Sequence, residues 1–106
     1  MTDTIENDAR ISEIRYCPGF AALCRIGNQP FHGQVEIVYE PSERLLEFES
    51  FERWLAALGN KEVTIEEVAR LSFDELTRAL GDIPLCVTVH ARTTVHAPVS
   101  ATIRRK

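Results

Sequence analysis

Cys24 is the residue of this chain best suited to covalent chemistry. It closes the apolar run Phe20–Leu23 and stands just before Gly27-Asn28-Gln29-Pro30. That tetrapeptide is turn chemistry: Gly and Asn tolerate positive φ and Pro fixes the exit. A thiol at the mouth of a hairpin can be both exposed and held, and Arg25 beside it favours the thiolate. On spacing alone, the commoner role for such a cysteine is a small apolar strand residue, and Cys17 and Cys86 read that way. Glu66 sits where a helix should begin, and a carboxylate there suits the helix dipole. Facing solvent it is an ordinary first-turn residue; facing a pocket it can accept two N–H donors from the edge of a flat heterocycle. His32, His90 and His96 could join Cys17 or Cys24 on a metal. No CxxC or HxxxH spacing exists, so no metal site is expected and His90 and His96 read as strand-face residues. No phosphate-binding loop, GxGxxG or GxSxG motif is present.

The elements that must position these residues follow from periodicity. Ile11, Ile14 and Tyr16, then Phe20, Leu23 and Ile26, read as strand, interrupted at Cys17-Pro18-Gly19 by a bend or bulge. Gln34 to Tyr39 alternates, with Val35, Ile37 and Tyr39 on one face. Glu40-Pro41-Ser42-Glu43 is a turn, and Leu45-Leu46 leads into a helix over about residues 49–58, carrying Phe51, Trp54, Leu55 and Leu58 and stopped by Gly59-Asn60. Glu47, Glu49 and Glu52 read as its solvated face. A second helix starts at Thr64, with Glu67 completing a capping box; its stripe is Ile65, Val68, Leu71, Leu76 and Leu80, and Gly81 closes it. Strands return at Pro84–Ala91 and, after a turn at Arg92-Thr93-Thr94, at Val95–Ile103. The order ββααββ predicts an α+β domain: a four-stranded antiparallel sheet with two helices on one face. Its open edges predict a homo-oligomer joined edge to edge.

At 106 residues the chain is expected to be one domain, with a loose arm over residues 1–10 and the folded unit over residues 11–106. The hydrophobic fraction of 44% and charged fraction of 26% are those of a globular protein. A net charge of −4 argues against nucleic-acid or polybasic membrane binding, and the basic tail Arg104-Arg105-Lys106 is too short to change that. No apolar run approaches a bilayer span and the polar start is no signal peptide. An odd count of three cysteines fits a reducing compartment, so a cytoplasmic location is expected.

Read together, these positions resemble the QueF group of tunnelling-fold proteins, the reductases that convert 7-cyano-7-deazaguanine to its aminomethyl form in queuosine biosynthesis. The resemblance runs from about Cys17 to Val95. It rests on CPGFAALC followed by GNQP, on VEIVYEP, on LLEFESFERWLAAL up to Gly59-Asn60, and on Glu66-Glu67. It implies a tunnelling fold assembling into a multi-subunit barrel of one or stacked rings. It also implies that Cys24 is the nucleophile forming a covalent thioimide with a nitrile, and that Glu66 holds the deazapurine edge. Glu47 matches a glutamate lining the substrate site, and Arg92 an arginine associated with the phosphates of the nicotinamide cofactor, NADPH.

The departures carry as much chemistry. Phe31 stands where the family has its acid, and Ile65 where it has a histidine before the anchoring glutamate; both make the expected substrate site more apolar. Glu49 and Glu52 replace the two lysines that favour NADPH, and Thr93-Thr94 replaces a glycine pair. Two reversed charges beside a phosphate are unfavourable by about 1 kcal/mol or more per close pair. The missing proton-transfer groups are typically worth about 10²–10⁴-fold each. The cofactor is thus left open. The leading expectation is a QueF-like enzyme that captures a planar nitrile or purine-like molecule on Cys24 and finishes by amidine formation or other chemistry. The alternatives are a working NADPH-dependent reductase and a non-catalytic purine- or pterin-binding or structural protein.

Overall fold

A ten-residue strand, β4 (Pro30–Tyr39), runs through the middle of the main sheet and sets the position of everything else. The structure is a computed structural model that describes residues 1–24, 30–92 and 97–106, the side chains of Cys24 and Pro30 excepted. Arg25, Ile26, most of the expected 27–30 turn, Thr93, Thr94, Val95 and His96 lie outside the described residues.

Before β4 come β1 (Thr4–Glu6), β2 (Ile14–Tyr16) and β3 (Gly19–Cys24). After it come β5 (Arg44–Leu46), helix α1 (Phe48–Ala56) with a tight turn over Ala57–Asn60, β6 (Glu62–Val63), helix α2 (Ile65–Leu80), β7 (Leu85–Arg92) and β8 (Val99–Arg105). The main sheet has the order β6-β3-β4-β7-β8, with β2 also pairing β4. β2 and β3 both run antiparallel to β4, either side of the bend expected at Cys17-Pro18, where the Val35 N–H reaches the Pro18 carbonyl at 2.9 Å. The fold is α+β, as the ββααββ order implied, extended by the short parallel strand β6 and by the separate β1–β5 ribbon.

Alternation decides which face is core. Val35, Ile37 and Tyr39 of β4 and Leu85, Val87, Val89 and Ala91 of β7 are buried in one cluster. That cluster includes Phe51 and Leu55 of α1 and Val68, Ala69, Phe73 and Leu76 of α2, so both helices cover the same face. The buried Tyr39 hydroxyl accepts the Leu46 N–H at 3.0 Å, tying β5 to the core. The opposite face carries His32, Gln34, Glu36 and His90. Among the described residues no helix is long and apolar enough to cross a membrane.

Four expectations are corrected. Residues 1–10 are no loose arm over their first half. β1 pairs antiparallel with β5, and Arg44 binds the Thr4 hydroxyl and carbonyl, both at 3.0 Å. Thr2 is buried, its N–H donating to Glu75 at 2.7 Å and its carbonyl accepting from Arg78 at 2.7 Å. Ile11 lies outside β2 because the Asn7 side chain bonds both its N–H (2.8 Å) and its carbonyl (3.1 Å), replacing a ladder. On α2, Leu71 is 39% exposed, while Ser72 and Phe73 continue the buried row from Val68 and Ala69. The last strand starts at Val99, after Pro98, which has no N–H to give a ladder.

Helix ends are well specified. Gly81 takes φ +86°, a left-handed value that favours glycine, and its N–H bonds the Thr77 carbonyl at 2.8 Å. Arg105, expected as mere tail, donates to the carbonyls of Gly81 (3.1 Å) and Ile83 (3.0 Å), a cation at the negative end of α2.

Two predictions follow from this packing. A Cβ on Gly33 would overlap the His90 carbonyl oxygen and come within 2.9 Å of Ala91 Cα. Those are backbone atoms of β7, so Gly33→Ala should cost about 3 kcal/mol or more, read as a fall in the urea midpoint. The second concerns acid. Glu75 is held down to about 2, chiefly by its hydrogen bond to Arg78, with burial opposing and the Thr2 N–H assisting. A lowered folded-state value stabilises above the ordinary 4.5 and is lost as pH falls from there towards 2. Glu75→Gln should be less stable than wild type at neutral pH and should lose stability less steeply across that acid window in pH-dependent denaturation.

Candidate active site

Cys24 and Glu66 reach the same end of the sheet through a short piece of backbone. β3 pairs in parallel with β6, Leu23 opposite Glu62 and Cys24 opposite Val63. Thr64 then starts α2, with extended backbone (φ −93°, ψ 165°), and Glu66 lies exposed in the first turn. The expected capping box is present. The Thr64 hydroxyl accepts the Glu67 N–H at 3.1 Å, and the Glu67 carboxylate accepts the Thr64 N–H at 3.1 Å. Of the Glu66-Glu67 pair, Glu67 is therefore the structural partner and Glu66 the one turned to the surface.

Glu47 is the N-cap of α1. Its carboxylate accepts the N–H groups of Glu49 (2.8 Å) and Ser50 (3.1 Å), which satisfies donors left over at a helix start. The buried Ser50 hydroxyl links this cap to the N-terminal ribbon, donating to the Glu47 carbonyl and accepting the Asp3 N–H, both at 2.8 Å. Glu49 is exposed, 4.0 Å from Arg53. Glu52 accepts the hydroxyl of Tyr16, whose ring packs on Phe48 with centroids 4.5 Å apart. Burial, the bond to Glu52 and the charges of Glu52 and Glu47 push the Tyr16 hydroxyl far above its ordinary value.

The remaining expected site residues separate. Phe31 is a core residue, 3% exposed and edge-on to Phe20 at 5.7 Å, rather than a side chain lining open space. Ile65 is partly buried against the core at the first position of α2. Arg92 is exposed at the end of β7, in register with His32. It joins His32, Gln34, Glu36, His90 and Ser100 around an open hollow of about 610 Å³ on the uncovered sheet face. There His90 bonds Ser100 at 2.8 Å and Glu36 at 3.0 Å, a three-strand link that the sequence reading did not anticipate. Its one visible signal was that His90 follows Val89, placing it on the polar side of the alternation. Among the described residues no group of three or more His, Cys, Asp or Glu side chains could hold a metal ion.

No family model matches the sequence. Four curated relatives carry the name NADPH-dependent 7-cyano-7-deazaguanine reductase. The one from Frankia casuarinae is 34% identical over 98% of this chain and 86% of its own length. This chain belongs to the QueF family. The Prochlorococcus marinus relative is 27% identical over 58% of this chain and 46% of its own, and that from Anaeromyxobacter sp. (strain K) 31% over 61% and 53%. Among solved structures, the apo form of the archaeosine synthase QueF-Like superposes with a TM-score of 0.82 at 20% identity, covering 89% of this chain and 93% of that one. The QueF-family chain thus has the tunnelling fold seen there, with β2 and β3 as its first bent strand and β4, β7 and β8 completing the four.

Cys17, exposed at the bend, differs from an activated thiol. Burial, then the charge of Glu36, push its thiol above the ordinary cysteine value. Alkylation followed by peptide mass spectrometry should show a raised pH midpoint for Cys17, and Glu36→Gln should lower it. An unchanged midpoint in that variant would contradict the assignment of Glu36 as a cause.

Proposed function

We propose that this QueF-family chain is an enzyme that captures 7-cyano-7-deazaguanine, or a related planar nitrile, as a thioimide on Cys24. The reading is supported above all by the β3–β6–α2 register, which brings the Cys24 backbone and the start of Glu66's helix to one end of the sheet. Glu66 accepts the N–H edge of the heterocycle as a charge-assisted anchor. The Cys24 sulfur adds to the nitrile carbon while the thiol proton passes to nitrogen, so S–H adds across C≡N with nothing lost. The resulting C=N remains electrophilic. An ammonia or amine nucleophile attacking it and expelling the thiol gives an amidine, and this finish is favoured over hydride transfer.

NADPH fits poorly. Where the family has lysines this chain has Glu49, beside Arg53, and Glu52, bonded to Tyr16, so two carboxylates would face a phosphate-bearing cofactor. A working reductase remains the alternative favoured by the names of the relatives. The burial of Phe31 in the core and of Ile65 partly against it, at the positions of the family's acid and histidine, favours a third reading, non-catalytic binding of a purine or pterin through Glu66, or a structural role. Assembly into a ring of copies accords with β8, which among the described residues pairs only with β7.

Intact-mass measurement after incubation with 7-cyano-7-deazaguanine tests the proposal. The protein should gain the mass of one ligand, Cys24→Ala should not, and Glu66→Gln should require more ligand for the same occupancy. Absence of an adduct at millimolar ligand overturns thioimide capture. Ligand binding that survives Cys24→Ser and is lost in Glu66→Gln selects the non-catalytic reading. Nitrile-dependent NADPH oxidation selects the reductase.

A further inference from the structure

Cys24 and Glu66 are asked to act on one ligand, yet the connection between their elements is slight. Among the described residues β3 and β6 share the Leu23–Glu62 and Cys24–Val63 pairs, and the Leu23 N–H reaches the Lys61 carbonyl at 3.4 Å, long for such a bond. A two-residue parallel ladder has little cohesion of its own. It is held from its Val63 end. Val63 is buried in the core cluster, and Thr64, next in sequence, is locked by three hydrogen bonds: its hydroxyl to the Glu67 N–H, its N–H to the Glu67 carboxylate, and its carbonyl to the Val68 N–H at 3.0 Å. Thr64 is where extended backbone becomes helix, so it fixes the direction of the first turn relative to β6.

We propose that Thr64 is a positioning residue that sets the separation between Cys24 and Glu66, by locking β6 and the first turn of α2 as one unit against the end of β3. The proposal rests on the reading of Cys24 and Glu66 above. A cap that served only helix stability would hold the first turn of α2 and leave the β3–β6 ladder unaffected. A positioning cap transmits its loss to Leu23.

Thr64→Val keeps the branched shape and the preference for extended backbone but removes the accepting oxygen; Thr64→Ser restores that oxygen. Measured at a temperature where all variants are folded, amide hydrogen exchange should be faster by about tenfold at both Leu23 and Glu67 in Thr64→Val, and within about twofold of wild type in Thr64→Ser. With 7-cyano-7-deazaguanine, Thr64→Val should form the Cys24 adduct about tenfold more slowly at saturating ligand. In a Cys24→Ala background, the same substitution should change the dissociation constant by no more than about twofold. Faster exchange confined to Glu67, or a Thr64→Ser variant no better than Thr64→Val, overturns the proposal. If wild type forms no adduct, the functional reading fails by itself, and the exchange measurement still decides whether Thr64 governs the Leu23–Cys24 end of β3.

Discussion

The register of β4 is the constraint on which this domain depends. Val35, Ile37 and Tyr39 have essentially no exposure, and β4 pairs along its length with β7 on one side and with β3 and β2 on the other. A slip of one residue would bring His32, Gln34 and Glu36 into the core and turn those three large side chains to water, so the burial pattern forbids it. At Gly33, where the β7 backbone passes too close for any side chain, the same register is enforced sterically. Once it is fixed, the end of β3 is fixed, and with it the place of Cys24. The position of the Cys24 backbone is thus inherited from the hydrophobic face of the sheet.

The parts that were legible in the sequence are those set by local periodicity and capping. The alternation through β4 and β7, both helices, the bend at Pro18 and the Thr64–Glu67 box could all be read because each depends on residues within a few positions of one another. The parts that were not legible depend on contacts distant in sequence. β6 has only two residues and no pattern, and exists because Val63 fits the core beside β3. The docking of residues 2–6 depends on Arg44, Ser50, Glu75 and Arg78, none of which advertises the pairing. Ser72 occupies a fully buried helix position that its chemistry would not predict, while Leu71 is left outside.

The acidic start of α1 shows how one residue type can carry several duties. Glu47 caps the helix, Glu49 faces solvent near Arg53, and Glu52 binds the Tyr16 hydroxyl. From the sequence they formed one charged face. In the structure they are a backbone acceptor, a surface charge and a side-chain acceptor, each set by its angle around the helix. Functional residues taken over from relatives at such positions must be weighed against work the fold already gives them.

Gly81 carries a consequence of handedness. Its φ of +86° with ψ −167° is the mirror image of ordinary extended backbone, and a side chain built there would meet nothing within 4 Å. The site is closed to L-residues by backbone chirality alone, with no crowding involved. A D-alanine placed there by chemical synthesis would occupy its own comfortable region. It would also restrict the unfolded chain, adding about 0.4–1 kcal/mol of stability. The end of α2 is in that sense written for an amino acid that the ribosome does not supply, and glycine is the nearest available substitute.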